Sequence, residues 1–166
     1  MADPLPQVQM TTTKGEITLE LFEDDAPNAV RNFMDLVIRR DYYDGLRFHS
    51  VQGGHVAWTG DPRTRLGATT DQDGPQWRLR PDESKRGILR GYVAVLPAQG
   101  GVFHGSQFII ALSPLIGEME RTIAFGRVVE GEDVLLSLEQ DDTIEKIEVL
   151  SQRNHAYDPL AARLDR

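Results

Sequence analysis

The sequence contains no cysteine. Disulfides, thiolate nucleophiles, thiolate zinc sites and iron–sulfur clusters are thereby excluded, and a disulfide-free chain suits a reducing compartment such as the cytoplasm. No apolar run approaches the roughly 20 residues of a membrane span. Residues 1–7 (MADPLPQ) lack the basic and apolar regions of a signal peptide. Positive charge is in deficit, with 18 Lys and Arg against 26 Asp and Glu and a net charge of −8. An acidic surface repels phosphate backbones and anionic lipid, so neither a nucleic acid nor a membrane is expected as a partner.

What is present describes one ordinary globular domain. The 166 residues are 40% hydrophobic and 27% charged, enough to bury a sizeable core and too apolar for general disorder. Residues 1–7 read as an extended lead-in, residues 8–150 as the folded domain and residues 151–166 as a polar tail that drapes over the body or frays. In the first hairpin, Ile17, Leu19 and Leu21 alternate with Glu16, Thr18 and Glu20, the period of a half-buried strand. A helix follows, with Asp24 or Asp25 as its cap and Pro27 in its first turn. Its apolar face is Val30, Phe33, Met34 and Val37, at i, i+3, i+4 and i+7.

Short strands are predicted over 47–51, 55–59, 92–96, 108–112, 123–129 and 143–150, with a second helix over 132–138. The Gly- and Pro-rich stretch 60–90 lies between them as a surface loop region. About eight short strands with only two helices predict a mainly β fold: a closed or nearly closed antiparallel barrel whose ends the helices plug.

Several words of the sequence, in order, resemble those of cyclophilin-type peptidyl-prolyl cis-trans isomerases. They are GEITLELFEDDAPNAVRNFMDL (15–36), DYYDGLRFHSV (41–51), Gly60-Asp61-Pro62, GSQFII (105–110) and IAFGRVVEGEDVL (123–135). The resemblance implies a closed eight-stranded antiparallel β-barrel capped by two α-helices, with the site on its outer face. It further implies a proline-containing peptide or protein segment as ligand, rotamase chemistry that assists protein folding, and no cofactor or metal. The loop style resembles bacterial members. The chain is expected to be a monomer, and the Pro-bearing lead-in allows contact with other domains of a longer protein.

The same resemblance identifies departures at the site. In the family an arginine directly after Phe-His stabilises the twisted amide. Here Ser50 follows Phe48-His49, and no residue can be named as catalytic with the family's assurance. The aligned pocket and groove positions are His55 for a phenylalanine, Val56 for a methionine and Trp58 for a glutamine. Leu96 and Pro97 replace a small alanine and an asparagine. Gln107 is retained, Ile109 replaces a second phenylalanine, and Gly117 and Thr122 stand for the far-wall aromatic and histidine. A serine hydroxyl cannot polarise the amide as a guanidinium would. The expectation is therefore a cyclophilin-like module, weak or inactive in isomerisation, that binds proline peptides or serves as a scaffold. The alternative is a functional isomerase with an unconventional site, in which a loop arginine of the 60–90 stretch replaces the missing guanidinium.

Other constellations carry less. His49 and Ser50 are neighbours on a strand and point to opposite faces, and Gly105-Ser106 lacks the second glycine of a nucleophile elbow. His49, His55 and His104 lack metal-ligand spacing; His49 is read as scaffold, His55 as a surface residue and His104 as a loop residue. Trp58 and Trp77 are candidate partner anchors, with Trp58 alternatively filling the emptied proline pocket.

Overall fold

A computed structural model describes residues 3–65, 77–98, 100–115, 122–159 and 162–164. The opening alternation folds as a hairpin, β1 (Gln7–Thr12) antiparallel to β2 (Gly15–Leu21). The Thr12 hydroxyl tightens the turn by accepting from the Lys14 N–H at 3.1 Å and donating to the Gly15 carbonyl at 2.9 Å. Helix α1 (Pro27–Arg40) follows, with Phe33 at its centre. The Phe33 ring meets Tyr43, Phe108 and Phe125 at centroid distances of 5.3, 5.8 and 5.4 Å. The helix thereby seals one end of the sheet's concave face.

The cap of α1 differs from expectation. Its N-cap is Ala26, without a side-chain bond. The carboxylate of Asp82 caps it instead, accepting from the N–H of Asn28 at 2.9 Å and of Ala29 at 3.0 Å. Asp24 is drawn away to Arg153 and Asp25 to Arg86. Helix N-termini take any acceptor that reaches their unpaired N–H groups, and here a loop supplies it.

The remaining elements are β3 (Ser50–Gln52), β4 (Val56–Thr59), β5 (Arg78–Leu79), β6 (Tyr92–Pro97), β7 (Phe103–Ala111), β8 (Ile123–Glu130), α2 (Glu132–Ser137), β9 (Ile144–Ser151) and β10 (Arg163–Leu164). The strands form one sheet in the order β10-β5-β7-β6-β8-β2-β1-β9, with β4 also on β7 and β3 on β4. The sheet is antiparallel and curled, with two helices, as the sequence predicts. The barrel does not close as predicted but stays an open half-barrel: the named strands leave a seam between β9 and β3. An isolated bridge spans it, Arg47 to Thr143, supported by Phe48 N–H to Asp142 O at 2.8 Å and Ile144 N–H to Leu46 O at 2.8 Å.

Two strands of two residues, β5 and β10, raise the strand number to ten. β7 begins at Phe103, five residues before the predicted start at residue 108, so His104 lies in a strand opposite Arg78 and not in a loop. The tail drapes over the body. Tyr157 is buried and its hydroxyl donates to Glu23 at 2.9 Å. Arg163 donates to Asn32 Oδ1 at 2.9 Å and Asp35 Oδ2 at 2.7 Å.

Period-two alternation sorts the strands' residues into two apolar clusters. Ala57, Val93, Val95, Phe108, Ile110, Ile123 and Phe125 belong to the interior one. Val56, Ala94, Leu96, Ile109, Ala111 and Ala124 belong to an outer one. Phe22, Ile88 and Leu115 pack onto that outer face, with partly buried Leu5, Trp58 and Tyr92. Each large side chain so buried contributes about 1.5–3 kcal/mol relative to exposure.

Candidate functional site on the outer face

The β3–β4 hairpin builds the site's near edge. It turns at Gly53-Gly54, where Gly54 has a φ of +74°. Its register sets Ser50 opposite Trp58 and Gln52 opposite Val56. β4 then pairs with β7 so that Trp58 faces Ile109, and β7 with β6 so that Ile109 faces Ala94. Ser50, Trp58, Ile109 and Ala94 thus form one row across the strands. Residues two positions along a strand share its face, which adds Val56, Gln107, Leu96 and, just ahead of β8, Thr122.

The structure therefore brings Ser50, Val56, Trp58, Leu96, Gln107, Ile109 and Thr122 together. His55 sits at the hairpin turn, where its carbonyl accepts from the Leu112 N–H at 2.8 Å. Pro97 closes β6 opposite Phe103, past a register shift. Gly117 lies outside the described residues.

The apolar wall is packed by the chain itself. Val56, Leu96 and Ile109 are 6%, 4% and 1% exposed. Trp58 is only partly buried, and its indole N–H donates to Gln107 Oε1 at 3.0 Å. The His49 ring lies 5.4 Å from the Trp58 ring, tilted by 55°. No sequence pattern signals this contact, because His49 precedes β3 and its direction follows from the irregular entry to the strand. Burial, first, and the charge of Arg63 lower the His49 pKa, against the opposing pull of Asp61. Burial and Arg78 lower that of His104. Both imidazoles are therefore neutral at pH 7. Among the described residues, no hydrogen-bond partner reaches two buried polar atoms, His49 Nδ1 and Thr122 Oγ1.

Beneath the row lies a hydroxyl network. The Ser106 Oγ donates to the Gly60 carbonyl at 2.8 Å, and the Tyr42 hydroxyl donates to Ser106 Oγ at 3.1 Å. Burial pushes the Tyr42 pKa up to about 12. A Cβ on Gly60 would stand 2.3 Å from the Ser106 carbonyl oxygen, and its φ is +98°, so the Gly60-Asp61-Pro62 word keeps its glycine for close approach. Ser106 is a structural donor here and not a nucleophile. Among the described residues no group of three or more His, Asp or Glu could hold a metal.

The comparisons with known proteins agree with this geometry. The family described as cyclophilin type peptidyl-prolyl cis-trans isomerase/CLD matches residues 7–155. The chain belongs to the cyclophilin family. A peptidyl-prolyl cis-trans isomerase of Helicobacter pylori is 35% identical over 144 residues, covering 82% of each chain. The peptidyl-prolyl cis-trans isomerase-like 1 of Mus musculus is 35% identical over 128 residues, covering 76% of this chain and 75% of its own. A cyclophilin type isomerase of Cryptosporidium parvum, crystallised in the presence of the dipeptide Ala-Pro, superposes with a TM-score of 0.72. It is 25% identical and covers 88% of this chain and 99% of its own.

Within this cyclophilin domain, four arginines of the 60–90 stretch are engaged elsewhere. Arg63 is held by Asp61, through Nε at 3.0 Å and Nη2 at 2.7 Å. Arg65 donates to the carbonyls of Asp44 and Tyr42. Arg86 pairs with Asp25, and Arg90 with Glu132 at 2.7 Å. None of these four pairs involves Ser50. Neutral groups in this row can stack, donate or accept single hydrogen bonds and exclude water. Stabilising a twisted amide asks for more.

Proposed function

We propose that this cyclophilin domain isomerises X–Pro bonds weakly or not at all and that its outer face holds proline-containing segments, as a peptide-binding or scaffold module. Rotation about the imide bond breaks amide resonance and costs about 18–20 kcal/mol. An isomerase lowers that barrier with a donor fixed beside the amide, and losing one such donor costs on the order of 100–1000-fold in rate. The observation that carries the reading is the pairing of Ser50 with Trp58. A short neutral hydroxyl stands in the arginine's place, and the side chain across from it has bonded itself to Gln107. Buried Val56, Leu96 and Ile109 support the same reading, since they occupy the walls between which a proline ring would insert. The Ala-Pro dipeptide of the Cryptosporidium parvum structure supports the ligand class.

One observation favours the second reading, an isomerase with an unconventional cation. Arg63 is a guanidinium held in place by Asp61, close enough for its charge to act on His49. Its charge is largely balanced by the same Asp61, which weakens it as an electrophile. A protease-coupled assay on an Ala-Pro peptide decides. The expected rate is near the uncatalysed one. Robust turnover overturns the proposal, and turnover abolished by Arg63→Ala establishes the second reading.

A further inference from the structure

Two tryptophans with nearly identical anchoring differ in what covers them. The Trp77 indole N–H donates to Asn32 Oδ1 at 2.9 Å, and its ring carries Arg163 at 3.8 Å and Arg40 at 5.3 Å. The Trp58 N–H donates to Gln107 Oε1 at 3.0 Å, and among the described residues no cation lies over its ring. The electron-rich face that Trp77 spends on arginines is left unclaimed by cations on Trp58, at the centre of the row just described.

The Trp58–Gln107 bond also fixes the amide. An indole N–H only donates, so the Gln107 atom facing it is the oxygen, and the NH₂ group is directed away from Trp58, where no acceptor among the described residues takes it. A partly exposed aromatic ring beside an oriented amide donor is the pairing used to grip proline in extended, polyproline II backbone. The ring packs on the flat pyrrolidine while the donor takes a carbonyl of the flanking chain.

We infer that the outer face reads trans-proline: Trp58 is a platform for the ring of an extended X–Pro segment, and the Gln107 amide takes a backbone carbonyl beside it. The inference rests on the reading that this site binds proline without turning it over. Buried Leu96, Val56 and Ile109 leave the ring to stack on the surface and not to insert. A surface platform demands that the flanking chain run straight past it. A cis bond shortens the Cα–Cα step from about 3.8 to 2.9 Å and folds the chain back, drawing the carbonyl away from Gln107. A site that prefers one ground state over the twisted form does not accelerate the exchange, so the same geometry accounts for both binding and slow turnover.

The test titrates the ¹⁵N-labelled chain with two Ala-Ala-Pro-Ala peptides in which only the Ala–Pro bond is replaced by a trans or a cis alkene, so that the flanking backbone carbonyls are kept for Gln107. The Trp58 indole signal is assigned with Trp58→Phe. The trans-locked peptide is expected to bind at least about tenfold more tightly than the cis-locked one, shifting the Trp58 indole signal and leaving that of Trp77 in place. Trp58→Ala should abolish that preference, while Trp58→Phe, which keeps a ring, should retain it. Equal affinity, a cis preference, no binding of either peptide at millimolar concentration, or a Trp58 signal that does not move overturns the inference. Should Trp58→Ala fail to fold, the locked pair on the unmodified chain still decides. Neither peptide can isomerise, so this result and that of the turnover assay fail independently.

Discussion

On β7, Phe108 and Ile110 join the interior cluster while Ile109 and Ala111 join the outer one. The same division runs through β4, β6 and β8. The interior keeps its large rings, with Phe33, Phe108 and Phe125 edge-to-face or tilted within 6.1 Å of one another. Along the same strands the outer face carries Val56, Ala94, Leu96 and Ile109, with Trp58 in their midst. Adjacent residues on one strand thus serve two different constraints. The inward ones hold the barrel at close-packed density, where each change of volume is felt. The outward ones can be exchanged as a set, and on the reading proposed above that exchange removes the cation and fills the wall.

The largest test of that division is on the interior side. Ile110→Ala, on the interior side, should cost about 4–5 kcal/mol of stability in urea unfolding, whereas the same change at its outward neighbour, Ile109→Ala, should cost only about 2 kcal/mol. Equal losses would mean that the outer cluster is as tightly built as the inner and not a rewritten surface. Next in size is a gain of catalysis. Ser50→Arg alone should leave the exchange rate of an Ala-Pro peptide within about tenfold of the uncatalysed one. The new side chain meets Trp58 across the ladder, with Gln107 already bonded, and Leu96 and Pro97 still stand in the groove. Adding Trp58→Gln should raise the rate further, up to about 100-fold. Full rescue by Ser50→Arg alone would show that the rest of the row is no obstacle.

Much of this division was legible before any coordinates. Alternation placed Ile17, Leu19 and Leu21 correctly, and the words around Gly60, Gln107 and Phe125 located the family. What escaped depends on partners distant in sequence. No spacing rule points from Asn28 to Asp82, yet that carboxylate caps α1. The Trp58–Gln107 bond needs the register of two strands that the chain joins by 49 residues. Arg163 in the polar tail gives no periodic signal, and its role comes from lying against Trp77 and bonding Asp35. Sequence patterns report a residue's own face; they say little about which far segment will supply its hydrogen bond.

Asp82 ties the two faces together and gives the third test. Its loop also carries Ile88, which packs on the outer cluster, while the capped helix plugs the interior. Asp82→Ala should cost about 1 kcal/mol, the usual worth of an N-cap, and Asp82→Asn much less. Hydrogen exchange should quicken first in the loop over the outer face, with the Phe33 region protected up to global unfolding. Uniform acceleration would mean that both faces open as one unit.

The smallest effect belongs to a contact on neither face. His155 Nδ1 lies 3.0 Å from the Ala156 carbonyl, and Nε2 bonds the Glu23 carboxylate. Both partners are acceptors, so only the imidazolium satisfies both. The backbone carbonyl first, and then Glu23, raise the His155 pKa above its ordinary 6.5, against burial and, less, Arg31. Glu23 also accepts from Tyr157 and lies 3.9 Å from Arg153. The folded chain thus binds this proton more tightly than the unfolded one. The stabilisation is complete below the unfolded pKa and is lost as pH rises through the raised folded value. The ring is 42% exposed, so screening keeps the contribution small. The melting temperature of the unmodified chain should exceed that of His155→Gln at pH 5.5 and converge with it by pH 8.5. A gap that widens with pH would mean that His155 acts as the neutral imidazole and that its bond to Glu23 is not an ion pair.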